Sequence, residues 1–328
     1  MTIRPVRHIR GMPRGSSRPQ LILFSDGRQY IVKFKNNPVQ GTRALVNEYV
    51  ASSLARLLDL PVPPFKIVHI DKHFFKKNPV LLRHRFRPGH QFASEYIPDC
   101  LKKIDKESLP KINIVNRRHL AGIIVFDQWV NNIDRRRSNI LLRPVSGDRG
   151  FWLYMIDQGH CFSHFDYLTH RRDCRWTPAG LRILPQKLRF NAFYRWCRRQ
   201  SREEDLIHYL DKIRRLSEDK IREVIASIPK DWNVSRMERE ALYNYLIRAK
   251  KMLPDLIKPH LRKAEEQPGP EKRAHPFLSE KVRLMKANRR KKARRRAPRM
   301  SREVPKRRMP FLRPTPSVPT SPGRFARR

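Results

Sequence analysis

Residues 117–157 constrain the fold more than any other stretch of the chain. An apolar run at helical spacing (Leu120, Ile123, Ile124, Phe126, Val130) breaks into a polar loop from Asn131 to Ser138, and two short strand-like segments follow, 139–143 (NILLR) and 151–156 (FWLYMI). The intervening Pro144–Gly150 carries turn residues, so the two segments are expected to pair as a hairpin. Pairing about a pivot near Ser146-Gly147-Asp148 brings residue 157 opposite residues 137–139. A buried helix, a polar loop and a hairpin are thus predicted to set Asp157 beside Asn139.

Asp134 and Asn139 stand in an Asp-x-x-x-x-Asn spacing at the centre of that loop. A carboxylate there can orient a hydroxyl or accept its proton, and the Asn and Asp157 supply two oxygen ligands. Mg²⁺ needs no more from the protein when triphosphate oxygens and water complete an octahedron. Asp157-Gln-Gly159 then gives a carboxylate followed by a flexible turn. Taken alone, Asp and Asn five apart also describe an ordinary solvated turn.

The N-terminal part reads as strands. Residues 19–35 form two β segments joined at Asp26-Gly27, a strong hairpin signal, with Lys33 on the second. Leu45, Val46, Tyr49, Val50, Leu54, Leu57 and Leu58 repeat at helical spacing and carry Glu48, until Pro61 and Pro63 end the run. Residues 64–70 and 80–86 are further strand candidates, and 88–99 reads as a linker. Downstream, Ser201-Arg-Glu-Glu204 and Ser235-Arg-Met-Glu238 carry capping-box signals that open helices, with another helix marked by Ile221, Val224, Ile225 and Ile228. The layout is α+β: a β-rich lobe over 1–97, a mainly helical lobe over 98–261, and a tail over 262–328.

Charge singles out the tail. The chain carries 73 Lys and Arg against 30 Asp and Glu, for a net charge of +43, and residues after Leu261 hold 23 basic against 5 acidic side chains. With few apolar residues and a Pro-rich end, the tail is expected to remain disordered and to attract nucleic acid or another polyanion through counterion release. Its aromatics are sparse (Phe277, Phe311, Phe325), which argues against base stacking as the main contact.

Cysteines 100, 161, 174 and 197 form no Cys-x-x-Cys pair, and no apolar run reaches the length of a membrane span. A cytoplasmic setting fits. His160, Cys161, His164, His170 and Cys174 match no standard zinc spacing, and Ser163, Tyr167 and Thr169 offer hydroxyls for self-modification in the same loop.

The ordered set of Lys, Glu, Asp-x₄-Asn, hairpin and Asp-x-Gly resembles the HipA-like kinase family, a divergent branch of the protein-kinase-like fold. The resemblance covers residues 8–250. It rests on Gly15-Ser-Ser17, Tyr30-Ile-Val-Lys33-Phe-Lys-Asn-Asn-Pro38, Leu45-Val-Asn-Glu48, Leu60-Pro-Val-Pro63, Gly89-His-Gln-Phe92, Phe126-Asp-Gln-Trp129, Asn132-Ile-Asp134-Arg-Arg-Arg-Ser-Asn139 and Ile156-Asp157-Gln-Gly-His160. It implies a two-lobed kinase that uses ATP and Mg²⁺. Gly15, Ser16 and Ser17 would lie in the phosphate loop, Lys33 would bind phosphate with Glu48 in support, Asp134 would be the catalytic carboxylate, and Asn139 and Asp157 would be the metal ligands. A protein Ser or Thr is the implied acceptor, and an antitoxin-like regulator the implied partner. Two positions depart from the pattern: Arg14 replaces a glycine of the phosphate loop, and Arg136 stands where the family more often has His. The rival reading is a pseudokinase, or a nucleic-acid-associated scaffold that keeps the shape without transferring phosphate.

Overall fold

The computed structural model describes residues 3–13, 17–37, 41–101, 104, 109–147, 150–162, 164–166, 171–173, 176, 181, 183 and 192–261. The expected tail, 262–328, lies outside them, as do Gly15, Ser16, Ser163, Tyr167 and Thr169.

The N-terminal lobe is one antiparallel sheet. Its strands are β1 (Pro5–Gly11), β2 (Gln20–Phe24), β3 (Gln29–Lys33), β4 (Phe65–Ile70) and β5 (Gly89–Glu95), in the order β1-β2-β3-β5-β4. Strands β2 and β3 are the expected hairpin, with Gly27 at φ +76° in its turn, a conformation that costs glycine nothing. Strand β1 forms an edge and pairs with β2 through two register irregularities, between Pro5 and Arg7 and between His8 and Arg10. Helix α1 (Gly41–Leu57) follows β3, and Val46, Val50, Ala51 and Leu54 are buried on it.

Two expectations fail here. Residues 80–86 do not form a strand: after the short helix α2 (Lys72–Lys77), Pro79 opens a second short helix, α3 (Pro79–Arg83). Proline at the first helical position lacks an N–H that the helix does not need, and its fixed φ suits the first turn. The supposed linker contains β5, which is central, paired to β3 on one side and β4 on the other. Its middle residues Gln91, Phe92 and Ala93 are all buried, so the inside-outside alternation of a half-exposed strand is missing.

The rest is mainly helical. Helix α4 (Arg118–Trp129) is wholly buried from Leu120 to Trp129. The hairpin β6 (Ile140–Pro144) and β7 (Phe151–Met155) follows, and a further short pair is formed by β8 (His164–Asp166) and β9 (Arg171–Asp173). Helices α5 (Ala192–Gln200), α6 (Glu203–Arg215), α7 (Glu218–Ala226) and α8 (Arg236–Leu261) complete it, with α5, α6 and α8 packed on α4. Ser235 and Glu238 make the expected capping box: the Ser235 hydroxyl accepts from the Glu238 N–H at 3.2 Å, and the Ser235 N–H donates to the Glu238 carboxylate at 2.9 Å. Ser201 does not cap α6. Its hydroxyl donates to the Cys197 carbonyl, closing α5, and the residue before α6 is Arg202.

Apolar burial follows the same division. One cluster under the sheet joins Ile22, Phe24, Val32, Phe34, Phe75 and Phe86. A larger one runs from α1 through α4 to α8 and fixes the helices on which the loop residues stand. The architecture is α+β and two-lobed, a small sheet lobe and a larger helical lobe, as the kinase-like reading requires.

Candidate active site

Lys33 ends β3, and its amine lies 2.8 Å from Glu48 Oε2 on α1 and 2.9 Å from Asp157 Oδ1 just beyond β7. All three come from different elements. The alternation of β3 turns Tyr30 and Val32 into the sheet core and leaves Lys33 on the opposite face, toward α1. The helical repeat of α1 places Glu48 on the face toward β3, where it is buried. Burial alone would pull the Lys33 amine toward neutrality, but the Asp157 and Glu48 carboxylates push its pKa well above the ordinary lysine value. The Lys33 ammonium in turn holds the Asp157 carboxyl below the usual carboxylate range, against the opposing effect of burial. Burial pushes Glu48 the other way, upward, with Lys33 countering.

Asp157 is held in the left-handed region at φ +62°, an uncommon conformation for a residue with a side chain. Such strain persists where the surroundings over-determine it. Here the Ile156 N–H donates to the Asn139 carbonyl at 3.0 Å on one side of the turn, and Lys33 holds the carboxylate on the other. The hairpin therefore brings the 139 and 157 positions together at the backbone, as expected. The side chains diverge: Asp157 reaches Lys33, whereas Asn139 donates to the Asp134 carbonyl at 2.8 Å and to its carboxylate at 3.3 Å. The Asn139 amide oxygen accepts from Ser138 at 3.1 Å. Asp134 also receives Arg136 at 3.3 Å, so the residue that departs from the family pattern sits directly on the candidate catalytic carboxylate.

Gly159 packs closely on α1. A Cβ there would lie 3.2 Å from the Ala44 carbonyl, a tight contact that would ask the helix backbone to give by a few tenths of an ångström, and 3.5 Å from Glu48 Oε2, an ordinary one. Asn47 donates to the Gly159 carbonyl at 3.2 Å and receives the Trp176 indole at 2.8 Å, tying the same turn to α1. A small pocket beside Lys33 is lined by Ser17, Asn37, Gly41, Glu48 and Gly159 together with apolar Phe34, Ala44 and Leu45. Of the expected phosphate loop, Ser17 is described, and its carbonyl accepts from Asn37 at 2.6 Å.

Beneath the loop lies a set of residues to which sequence reasoning assigned no part. Asp127, wholly buried on α4, receives Arg135 at 2.8 Å, Asn132 at 2.9 Å and the Tyr194 hydroxyl at 2.9 Å. Arg135 also donates to the Asn139 and Ile156 carbonyls, at 3.1 and 2.9 Å, so one guanidinium ties helix α4 to both ends of the hairpin. The signal was present: a carboxylate inside an otherwise apolar helix must find a cation or hydrogen-bond donors.

Asn139 and Asp157 carry the kind of oxygen that a hard divalent cation takes, but here the Asp157 carboxylate is turned to Lys33 and the Asn139 amide oxygen to Ser138, so the two oxygens serve different partners. Among the described residues no group of three or more His, Cys, Asp or Glu could hold a metal. The zinc ligands considered above include His170 and Cys174, which lie outside the described residues.

A family model described as HipA-like kinase matches residues 6–172, half of the chain, including Lys33, Glu48, Asp134, Asn139 and Asp157. The chain belongs to the HipA-like kinase family. Its activity class is therefore that of a kinase-type phosphotransferase. No curated protein matches the sequence. Solved structures similar to this HipA-like kinase include the Helicobacter pylori proinflammatory kinase CtkA, at 16% identity over 78% of this chain and 96% of that one, with a TM-score of 0.49. A Golgi casein kinase with Mn/ADP bound shows 12% identity over 78% of this chain and 74% of its own, with a TM-score of 0.44. HipA of Shewanella oneidensis MR-1, in a toxin–antitoxin complex with HipB and operator DNA, shows 12% over 80% and 75%, with a TM-score of 0.46. No helix among the described residues is long and apolar enough to cross a membrane.

Proposed function

We propose that this HipA-like kinase transfers the terminal phosphoryl group of ATP, with Mg²⁺, to a Ser or Thr hydroxyl of a protein. The observation that carries the reading is the Lys33 amine held between Glu48 on α1 and Asp157 beyond β7, a preset cation where the sheet lobe meets the hairpin of the helical lobe. Such a cation suits phosphate oxygens, and the Asp157 and Glu48 carboxylates keep it charged and aimed. Asn139 and Asp157 are the residues that would hold Mg²⁺, which when bound offsets the charge on the phosphates. Asp134, at the loop beside Asn139, would orient the acceptor hydroxyl and take its proton. Gly15, Ser16 and Ser17 would meet the phosphates through backbone N–H groups.

The domain limits follow the same reading: a nucleotide-binding lobe over 1–97, a catalytic lobe over 98–261, and a basic tail over 262–328 that holds nucleic acid or another polyanion without sequence preference. A cytoplasmic setting and an antitoxin-like regulator accompany it as proposals. A HipA of the same fold class binds HipB and DNA, which makes a regulator a natural partner to look for. Transfer of label from γ-labelled ATP, with Mg²⁺ and a cell extract as the source of acceptor, tests the reading, with Lys33→Met as the control. Transfer that persists in Lys33→Met would remove its basis.

The rival reading, a pseudokinase or scaffold, gains from one observation. Arg136 occupies the Asp134 carboxylate. An arginine there competes with an acceptor hydroxyl for the same oxygen, and measured binding of Mg·ATP without transfer to any acceptor would favour it.

A further inference from the structure

Two ion pairs outside the candidate site converge on one short stretch of chain. Lys35, two residues beyond Lys33, places its amine 2.5 Å from Asp231 Oδ2 in the 3₁₀ turn Lys230–Trp232. The same carboxylate accepts the His90 backbone N–H at 3.0 Å and sits 2.9 Å from His90 Nδ1, while the Trp232 indole donates to the His90 carbonyl at 2.8 Å. Gly89 is shaped to this contact. Its φ is +121°, and a Cβ would fall 2.4 Å from both Asp231 Oδ2 and Lys35 Nζ.

The second pair holds α1. Arg43, in the first turn of the helix that carries Glu48, reaches Glu238 Oε1 from Nε at 2.9 Å and from Nη2 at 2.5 Å, and donates to the Asn233 carbonyl at 3.1 Å. Glu238 uses its other oxygen for the Ser235 cap, so one carboxylate opens α8 and anchors α1. Tyr49, next to Glu48, adds a 2.7 Å contact to the Ser227 hydroxyl and an edge-on ring contact with Trp232 at 5.7 Å. Lys35 and Arg43 keep only 11% and 22% of their side-chain surface exposed, so salt screens these pairs less than it screens surface ones.

The geometry points to residues 227–238 as a brace that sets β3 against α1, with Asp231 and Glu238 acting as positioning residues that make Lys33 and Glu48 meet. The consequence for nucleotide rests on the proposed reading of that pair; the ordering of β3 and α1 does not. Both elements of the candidate phosphate site are tied to the same segment of the helical lobe, one through Lys35 and the other through Arg43. Losing either tie frees one partner of the Lys33–Glu48 pair to drift while the apolar core beneath stays packed.

The test uses the full chain with Asp231→Asn, Glu238→Gln and the double variant. These changes keep shape, and Gln can still accept the Ser235 cap. Hydrogen exchange of peptides covering 29–37 and 41–57 and calorimetric Mg·ATP affinity are read side by side. The brace predicts exchange in those peptides faster by about tenfold, with α4 and α6 unchanged, and nucleotide affinity down by about tenfold in the double variant, since a misplacement of an ångström at a site costs on that order or more. Unchanged exchange overturns it. So does faster exchange with unaltered affinity, which would leave these pairs as general packing. Should the wild type bind no nucleotide, the kinase site reading fails on its own, and exchange alone then decides whether the brace orders Lys33 and Glu48. If either variant fails to fold, Lys35→Gln and Arg43→Gln put the same question from the opposite side.

Discussion

The Arg135 guanidinium, from the loop that carries Asp134, lies 2.8 Å from the Asp127 carboxylate of α4 with both side chains wholly buried. The Asp127 carboxylate keeps the guanidinium charged despite burial. A buried pair of this kind adds little net stability over an apolar one, but breaking it strands the surviving charge. Arg135→Met is expected to cost about 3–5 kcal/mol for that reason. Urea unfolding of the variant against wild type measures it, and a loss under about 1 kcal/mol would mean that water or another cation replaces the guanidinium.

The two carboxylates of the candidate site should fail in different ways. Asp157→Asn removes the charge assigned to the metal and should weaken Mg²⁺-dependent ATP affinity. Asp134→Asn should leave affinity intact and slow transfer by about 10²–10⁴-fold, the usual cost of losing a positioned acid–base group. Calorimetry and a labelled-phosphate assay on each variant separate the two. Equal transfer by wild type and Asp134→Asn would take the catalytic role away from Asp134.

The Lys33–Asp157 pair also has a pH signature. Because Lys33 lowers the folded-state pKa of Asp157, the pair contributes stability above the unfolded carboxyl value of about 3.9 and loses it as pH falls through the lower folded value. Wild type should therefore melt above Asp157→Asn near neutral pH, with the gap closing as pH falls from about 5 toward about 2. A gap that stays constant over that range would show that the carboxylate gains nothing from Lys33.

Much of this arrangement was legible in the sequence because it is written locally. Asp-Gly between β-branched runs gives the β2–β3 hairpin, and a 3.6-residue repeat gives α1, so Lys33 falls on the second strand and Glu48 on the following helix, as in the structure. The 140–155 hairpin was read the same way. What escaped depends on contacts distant in sequence. Strand β5 hid behind Arg87-Pro88-Gly89, whose turn chemistry is real but serves the packing of Gly89 on Lys35 and Asp231, both distant from it in sequence. Arg135 looked like one of three loop arginines, and nothing local says that it alone is buried while Arg136 is exposed. Helix α5 contributes Tyr194 to the same buried set, from a short segment that the sequence reading did not mark as a helix.

Removing residues 262–328 should leave folding intact, since α8 ends at Leu261 and its buried Leu253 and Ile257 are retained. Thermal melting should agree with the full chain to within about 2 °C, while affinity for single-stranded nucleic acid and its salt dependence both fall, as expected when Lys and Arg that displace counterions are lost. A drop of ten degrees or so in the melting midpoint would mean that the tail packs on the kinase lobes.

The irregular pairing of β1 has a consequence for how the molecule behaves at high concentration. An edge strand offers unpaired backbone N–H and C=O groups to any other chain with a free edge. Here that edge begins with Pro5, which has no N–H to give, slips register twice along its length, and carries Arg7 and Arg10, both exposed. Proline, bulges and like charges each obstruct the addition of a sixth strand, so the sheet that carries Lys33 is closed to self-templating at its outer end, and a second copy approaching edge to edge meets repulsion before it meets a hydrogen bond.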